Sequence, residues 1–375
     1  MSLKNGILFN LAGYFHKKIA RHCRPAAPLA SVPFGKILVL STTAIGDTLL
    51  STPVLAALRH EFPEAAIKVL VQKKFMPLFA DNPHVDGFVG FQKGMFHFFR
   101  TALALKRERF QLALVLHVSD PLPVYMAVLA QIPLLAGYPP EPALRPFFSH
   151  PVEPPHAKHV IAHRMAVLEA VRPQLPGWSP RLVLPVRPER VREVVGKYLP
   201  GGGAVSGQAT LIGFQPGASK RFKMWPLESF VQLGRQLLDR DENIMILVLG
   251  SREERALGDD IVRGIGRGER TLSLCGRLPL EELPPMVAAL RGLVTNDTGT
   301  MHIAVALGTP AVCLFVPTDP LGIGPIQDME IHQVISRPRP CGEECVTKKC
   351  RREPSCMSLL GVDEVLAATL RVLAG

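Results

Sequence analysis

Aromatic residues are scarce in this 375-residue chain, where two Trp, four Tyr and 18 Phe amount to 6%. Rings of that kind are the platforms on which unpaired bases stack, so their shortage argues against a nucleic-acid partner. The formal charge is +11 and the isoelectric point about 9.5. Lys and Arg are nevertheless scattered along the chain instead of gathered in one long basic block. Such a balance suits a polyanionic small partner or an anionic membrane surface.

Long apolar runs are missing too. The closest, Val124 to Tyr138, is interrupted by Gln131 and Pro133 and falls short of the roughly 18 residues needed to span a bilayer. Nor does the start read as a secretory signal. Its apolar part, Gly6 to Phe15, is broken by Asn10 and followed by Lys17, Lys18 and Arg21. The expected location is the cytoplasm. Cys23, Cys275 and Cys313 stand alone, which fits reduced thiols there.

A hydrophobic share of 47% over 375 residues is enough for two domains with full cores. Ile7, Leu11, Phe15 and Ile19 recur at helical spacing, with Lys4, His16, Lys17, Lys18 and Arg21 clustered towards the end and the far side. This predicts a basic amphipathic helix, suited either to an anionic lipid interface or to packing on the body of the protein. A proline-containing linker, 24–33, follows.

Apolar strands then alternate with helices. Lys36–Leu40, Ala66–Val71 and Gln111–Leu116 read as strands of one series; Leu211–Phe214, Ile244–Leu249, Thr271–Leu274, Ala288–Val294 and Ala311–Val316 as strands of a second. That alternation predicts parallel sheets covered by helices on both faces, an α/β fold. Prolines recur from Pro139 to Pro155, where no regular structure is expected, and a helix resumes over His159–Val171. The glycine-rich run 200–207 reads as a linker or hinge loop. The expected domains are an N-terminal helix and linker (1–33), a first Rossmann-like domain (34–200), a second (208–360), and a C-terminal helix (361–375) free to pack back on the first. A ligand would lie at the carboxyl ends of the strands, in the cleft between the domains.

Four segments carry chemistry. Asn296-Asp297-Thr298-Gly299-Thr300-Met301-His302 follows one strand and opens a helix. Its backbone N–H groups, the two threonine hydroxyls and the imidazole form a natural anion site for a phosphate or diphosphate. Thr42-Thr43-Ala44-Ile45-Gly46-Asp47-Thr48 follows the first strand of the first series. Gly46 permits close backbone approach, and Asp47 offers a carboxylate that can accept a proton from an attacking hydroxyl or simply cap its helix. In Gln215 to Pro226, Lys220, Arg221 and Lys223 surround a glycine turn and suit a diphosphate, with Lys223 fixed best by the helix start that follows. Glu253, after a further strand, could accept bonds from ribose hydroxyls or serve as an ordinary first-turn acid. Outside these, Cys341, Cys345, Cys350 and Cys356 lie among Lys and Arg. Four thiolates can hold a structural zinc, but the spacing lacks the paired C-x2-C pattern, and disulfides or free thiols fit as well.

Together these motifs resemble glycosyltransferase family 9, the bacterial ADP-heptose:lipopolysaccharide heptosyltransferases and their relatives. The residues that carry the likeness are Ala44-Ile45-Gly46-Asp47 with Ser51-Thr52-Pro53, Lys223-Met224-Trp225-Pro226, Asn296 to His302, and Pro317-Thr318-Asp319-Pro320. The resemblance implies a GT-B fold, two Rossmann-like domains facing across a cleft. It implies an inverting, metal-independent and cofactor-free transfer of heptose from ADP-heptose to a lipid-anchored lipopolysaccharide acceptor. The alternatives are the same fold with another nucleotide-sugar donor, a GT-B sugar-nucleotide epimerase, and a non-catalytic membrane-surface glycan-binding protein. By the same likeness Asp47 is the general base and Lys223 pairs with the donor diphosphate. Asp297, Thr298, Gly299 and His302 would hold phosphates and sugar, Glu253 the ribose, and Thr43 and Gly46 would lie near the donor.

Overall fold

The computed structural model describes residues 9–10, 12–14, 32–117, 120–156, 159–173, 175, 177–199, 209–341, 350 and 354–374. The chain divides into two compact units between Leu182 and Val183. The linker or hinge loop expected at 200–207, Cys23, Cys345 and most of the N-terminal segment lie outside the described residues.

Each unit holds a six-stranded parallel sheet. The first comprises β1 (Lys36–Ser41), β2 (Ala66–Gln72), β3 (Gly87–Phe91), β4 (Leu112–Val115), β5 (Leu134–Gly137) and β6 (His150–Pro151), in the order β3-β2-β1-β4-β5-β6. Val39 sits level with Val69 of β2 and Leu114 of β4. The second comprises β7 (Thr210–Gln215), β8 (Ile244–Val248), β9 (Thr271–Ser273), β10 (Gly292–Asn296), β11 (Ala311–Phe315) and β12 (His332–Ser336), in the order β12-β11-β10-β7-β8-β9. Counted from its own first strand, the second sheet repeats the order of the first. Both are the doubly wound Rossmann arrangement, and the order reverses between β1 and β4 and between β7 and β10.

The central strands are apolar on both sides because helices cover both faces. Every residue of β10 and β11 is buried, and β1 is buried from Ile37 onward. In the helix Leu227–Arg240, Phe230, Leu233, Gly234, Leu237 and Leu238 share the buried face at i, i+3 and i+4 spacing. Trp225, 1% exposed, packs edge-on against Phe230 with ring centroids 5.0 Å apart and donates its indole N–H to the Leu360 carbonyl at 2.9 Å. The C-terminal helix Val362–Ala374 contributes Val365, Leu366, Ala368 and Val372 to this same core, so it belongs to the second unit. The helix Pro188–Tyr198 also falls in that unit, which therefore begins before the expected boundary.

The proline-rich stretch expected to be irregular contains β6, paired with β5 through Ala136–His150 and Gly137–Pro151. A two-residue edge strand tolerates Pro because it needs no N–H on its outer side. Gly137 is required where the chain crosses β4: its φ is +146° and a Cβ there would collide with the Val115 carbonyl. At the N-terminus, residues 9–10 and 12–14 are helical; Ala12 is buried in the first core and Phe9 lies 5.6 Å from the Phe147 ring.

Candidate functional site

The two switch points are occupied by the motifs singled out from the sequence. In the first unit, the loop after β1 leads into the short helix Ile45–Leu49 with Asp47 in its first turn. The loop is pinned from beneath by Gln72, whose amide donates to the carbonyls of Thr42 and Thr43 at 2.9 and 2.6 Å. The Thr43 hydroxyl is buried beside the Asp47 carboxylate. Gly46 is buried in the same turn.

Asp47 does not stand alone. Arg164, from the helix Val160–Glu169, donates to its carboxylate at 3.0 Å and to its main-chain carbonyl. The same guanidinium donates to Ser51 Oγ at 3.1 Å and to His117 Nδ1 at 3.3 Å. Ser51 in turn donates to the Asp47 carbonyl at 3.0 Å. Arg164 has a side chain only 1% exposed, whereas that of Asp47 is 39% exposed. A buried guanidinium thus fixes the turn from behind and leaves the carboxylate facing outward.

His117, just past β4, completes the cluster. Because Nδ1 accepts from Arg164, Nε2 carries the proton and donates to Ser41 Oγ at 3.1 Å; Ser41 donates onward to Thr48 Oγ1 at 3.2 Å. Enclosure of the ring pushes the imidazole pKa down to about 3, helped by the neighbouring guanidinium, so His117 is neutral at pH 7. For Asp47, burial raises the carboxyl pKa. Arg164 chiefly, then His117, the Thr43 hydroxyl and the Ala44 N–H, outweigh that and hold it below the ordinary aspartate value. Burial lowers the Arg164 pKa to about 10, which still leaves it charged at pH 7.

The second switch point lies between β7 and β10. Lys223 Nζ meets Asp297 Oδ2 at 2.6 Å, with side chains 21% and 8% exposed respectively. Asn296, fully buried, ties the two loops together. Its Oδ1 accepts from the Trp225 N–H at 3.0 Å and its Nδ2 donates to the carbonyls of Pro216 at 2.8 Å and Gln215 at 3.3 Å. Thr300 Oγ1 donates to Gln215 Oε1 at 3.0 Å. Thr298 is the extended N-cap of the helix Gly299–Leu307, and His302 is buried one turn in. The first-turn N–H groups of that helix have no partner within it by construction, so the end is suited to an anion. Asp319 of the Pro317–Pro320 motif caps the next short helix by accepting from Leu321 N–H at 3.0 Å.

Glu253 is exposed on the turn Arg252–Glu254 after β8. The neighbouring Glu254 is the acid that reaches the β7 loop. Its carboxylate accepts from the Ser251 N–H at 2.6 Å and occupies the space that a Cβ on Gly217 would need. Of the cysteine cluster, Cys341 and Cys350 are partly exposed and Cys356 is buried in the second core. Among the described residues no group of three or more His, Cys, Asp or Glu is arranged to hold a metal.

Two doubly wound units, each with charged loops at its switch point, define a fold of the GT-B class. The model of glycosyltransferase family 9 (heptosyltransferase) matches residues 98–355. This chain belongs to that family and is a glycosyltransferase. It is 27% identical over 302 residues to lipopolysaccharide heptosyltransferase 2 of Salmonella typhimurium, covering 76% of this chain and 84% of the relative. In fold it resembles the ADP-heptose lps heptosyltransferase II of E. coli, with a TM-score of 0.74, 23% identity and coverage of 90% and 98% of the two chains. It also resembles a family 9 glycosyl transferase of Veillonella parvula, with a TM-score of 0.76, 22% identity and coverage of 93% and 99%.

Proposed function

We propose that the enzyme moves a heptose from ADP-heptose to the core of a lipopolysaccharide acceptor, inverting the anomeric centre and using no catalytic metal. The observation that carries this reading is the opposite polarity of the two switch points. The first presents a half-exposed carboxylate over a buried cation, the second an ammonium over a buried carboxylate. One unit supplies a proton acceptor and the other a grip for a diphosphate. The heptosyltransferase relatives support the donor and acceptor classes.

In the proposed reaction an acceptor hydroxyl attacks the anomeric carbon. The new C–O bond forms as the bond to the diphosphate breaks; the electron pair leaves with ADP and the proton goes to Asp47. A carboxylate this acidic is a weak base, so the proton moves late, once bond formation has acidified the hydroxyl. Lys223 and the N–H groups at Thr298–Gly299 stabilise the charge developing on the diphosphate, and Asp297 and His302 position the phosphates and sugar. Glu253 is assigned to the ribose, and Thr43 and Gly46 to the donor's surroundings. The acceptor is lipid-anchored, which places the enzyme on the inner face of the cytoplasmic membrane and gives its positive charge a partner.

The test is Asp47→Ala, assayed with a panel of nucleotide sugars and truncated lipopolysaccharide cores. Transfer should fall by about 10³-fold, in the middle of the range of about 10²–10⁴ that a positioned base contributes, while ADP affinity is retained. Turnover close to that of the unchanged enzyme removes Asp47 as base. Activity with another nucleotide sugar but not ADP-heptose replaces the donor. Complete loss of activity in excess chelator, restored by a divalent cation, removes metal independence.

A further inference from the structure

The helix Met95–Glu108 is apolar on two sides. Phe98, Thr101, Ala102 and Leu105 face the first core, as the sequence period demands. On the outer side Met95, Phe96, Phe99 and Leu103 are 38%, 73%, 42% and 49% exposed. At about 100° per residue these four fall within one arc of roughly 100°, so they form a single stripe. A solvated helix has no use for four bulky apolar groups in one stripe, and such a patch marks an interaction surface.

The charges around the stripe have one sign. Arg100, Lys106 and Arg107 are exposed on the same side of the helix. Its sole acid, Glu108, is turned away to Lys68 at 2.8 Å and Lys36 at 3.4 Å. At the helix start a hollow of about 390 Å³ is lined by Lys73, Lys74, Lys93 and His97. None of these lysines or of the helix cations has a carboxylate partner among the described residues. Apolar groups interleaved with unneutralised cations suit an anionic interface, whereas an interface between protein chains carries fewer lysines. The described part of the N-terminal segment, by contrast, uses Phe9 and Ala12 for packing on the first core.

We propose that this face docks the enzyme on an anionic phospholipid surface. Met95, Phe96, Phe99 and Leu103 enter the headgroup layer, and Lys73, Lys74 and Lys93 hold lipid phosphates in the adjoining hollow. The docking surface is distinct from the residues proposed for transfer.

The full chain is sedimented with phosphatidylcholine vesicles with and without phosphatidylglycerol, in the absence of donor and acceptor, so the outcome does not depend on the transfer reading. Two triple variants are compared, Phe96→Gln/Phe99→Gln/Leu103→Gln and Lys73→Gln/Lys74→Gln/Lys93→Gln, each checked for an unchanged circular dichroism spectrum and Tm. Binding should require phosphatidylglycerol. The lysine variant should bind about 100-fold more weakly, from about 1 kcal/mol per cation at such a surface, and keep the part of its salt dependence that Arg100, Lys106 and Arg107 supply. The apolar variant should lose at least about tenfold. Folded variants that bind within twofold of the unchanged chain overturn the proposal. So does an apolar variant that turns a dimer into a monomer in sedimentation velocity without altering vesicle binding, since the face then joins two copies of the chain.

Discussion

Replacing Arg164 by Met removes the charge behind Asp47 while keeping most of the volume. Cutting one partner from a buried ion pair costs about 3–5 kcal/mol. Here the stranded partner is Asp47, whose 39% exposed side chain can be rehydrated, so about 2–3 kcal/mol is expected. In a unit of this size that corresponds to a fall in Tm of roughly 5–10 °C. The sharper readout is the pH profile. Burial raises the Asp47 pKa and Arg164 is the main group opposing it, followed by His117, the Thr43 hydroxyl and the Ala44 N–H. Without Arg164 the burial effect prevails and the pKa rises, so the acid limb of kcat/KM moves to higher pH. Stability follows the same sign. The folded-state pKa of Asp47 lies below its unfolded value of about 3.9, so the pair stabilises fully above about pH 4 and loses its effect as pH falls through the folded value. The stability gap between the two proteins should therefore close in acid. Arg164→Lys should recover part of the acid limb. If Arg164→Met lowers Tm and leaves the acid limb in place, the guanidinium only packs and does not tune Asp47.

His117→Gln should flatten acid unfolding. The imidazole pKa is about 3 in the fold against an ordinary 6.5, so the native state binds fewer protons than the unfolded one. That costs up to about 1.4 kcal/mol per pH unit as pH falls below 6.5. Urea melts at pH 7, 5 and 4 measure it, and identical slopes for both proteins would exclude it. Asn296→Ala leaves the Trp225 N–H and the Gln215 and Pro216 carbonyls without their partner, which should cost about 3 kcal/mol and loosen the β7 loop. Calorimetry should then show weaker ADP binding; unchanged affinity would mean the loop holds its shape unaided. Gly217→Ala forces the Glu254 carboxylate aside and should cost about 1 kcal/mol through loss of its hydrogen bond from the Ser251 N–H. A Tm equal to that of the unchanged chain would show that the carboxylate moves freely.

The central strands and the four polar motifs were legible because each is a local pattern: a short apolar run, then a glycine turn, then a helix start. Strands β3, β5 and β6 were not. β3 contains two glycines, β5 sits inside the apolar run that begins in the helix Leu122–Leu129, and β6 has only two residues. Arg164 was missed for a different reason. It lies 117 residues from Asp47 and reads locally as an ordinary surface cation; only the docking of its helix against the β1 loop buries it. His117 and Asn296 likewise take their importance from partners 76 and 81 residues away. Placing Glu254 instead of Glu253 against the β7 loop depends on the capping geometry at Ser251, which a one-residue offset in a run of two acids cannot reveal.

The two sheets share one topology, so topology cannot explain the different roles proposed for them. Both switch points hold a cation and a carboxylate in contact, Arg164–Asp47 and Lys223–Asp297, at 3.0 and 2.6 Å. What differs is which member of the pair is buried. The guanidinium is 1% exposed under a carboxylate at 39%; the second carboxylate is 8% exposed under an ammonium at 21%. Burial decides the sign of what each site offers, because the enclosed charge is already committed to its partner and the outer one can exchange that partner for a ligand. It follows that exchanging the charges within a pair, as in Lys223→Asp with Asp297→Lys, should keep an ion pair yet lose diphosphate binding. Retained ADP affinity in that double variant, with its fold intact, would show that the order of burial is not what defines the site.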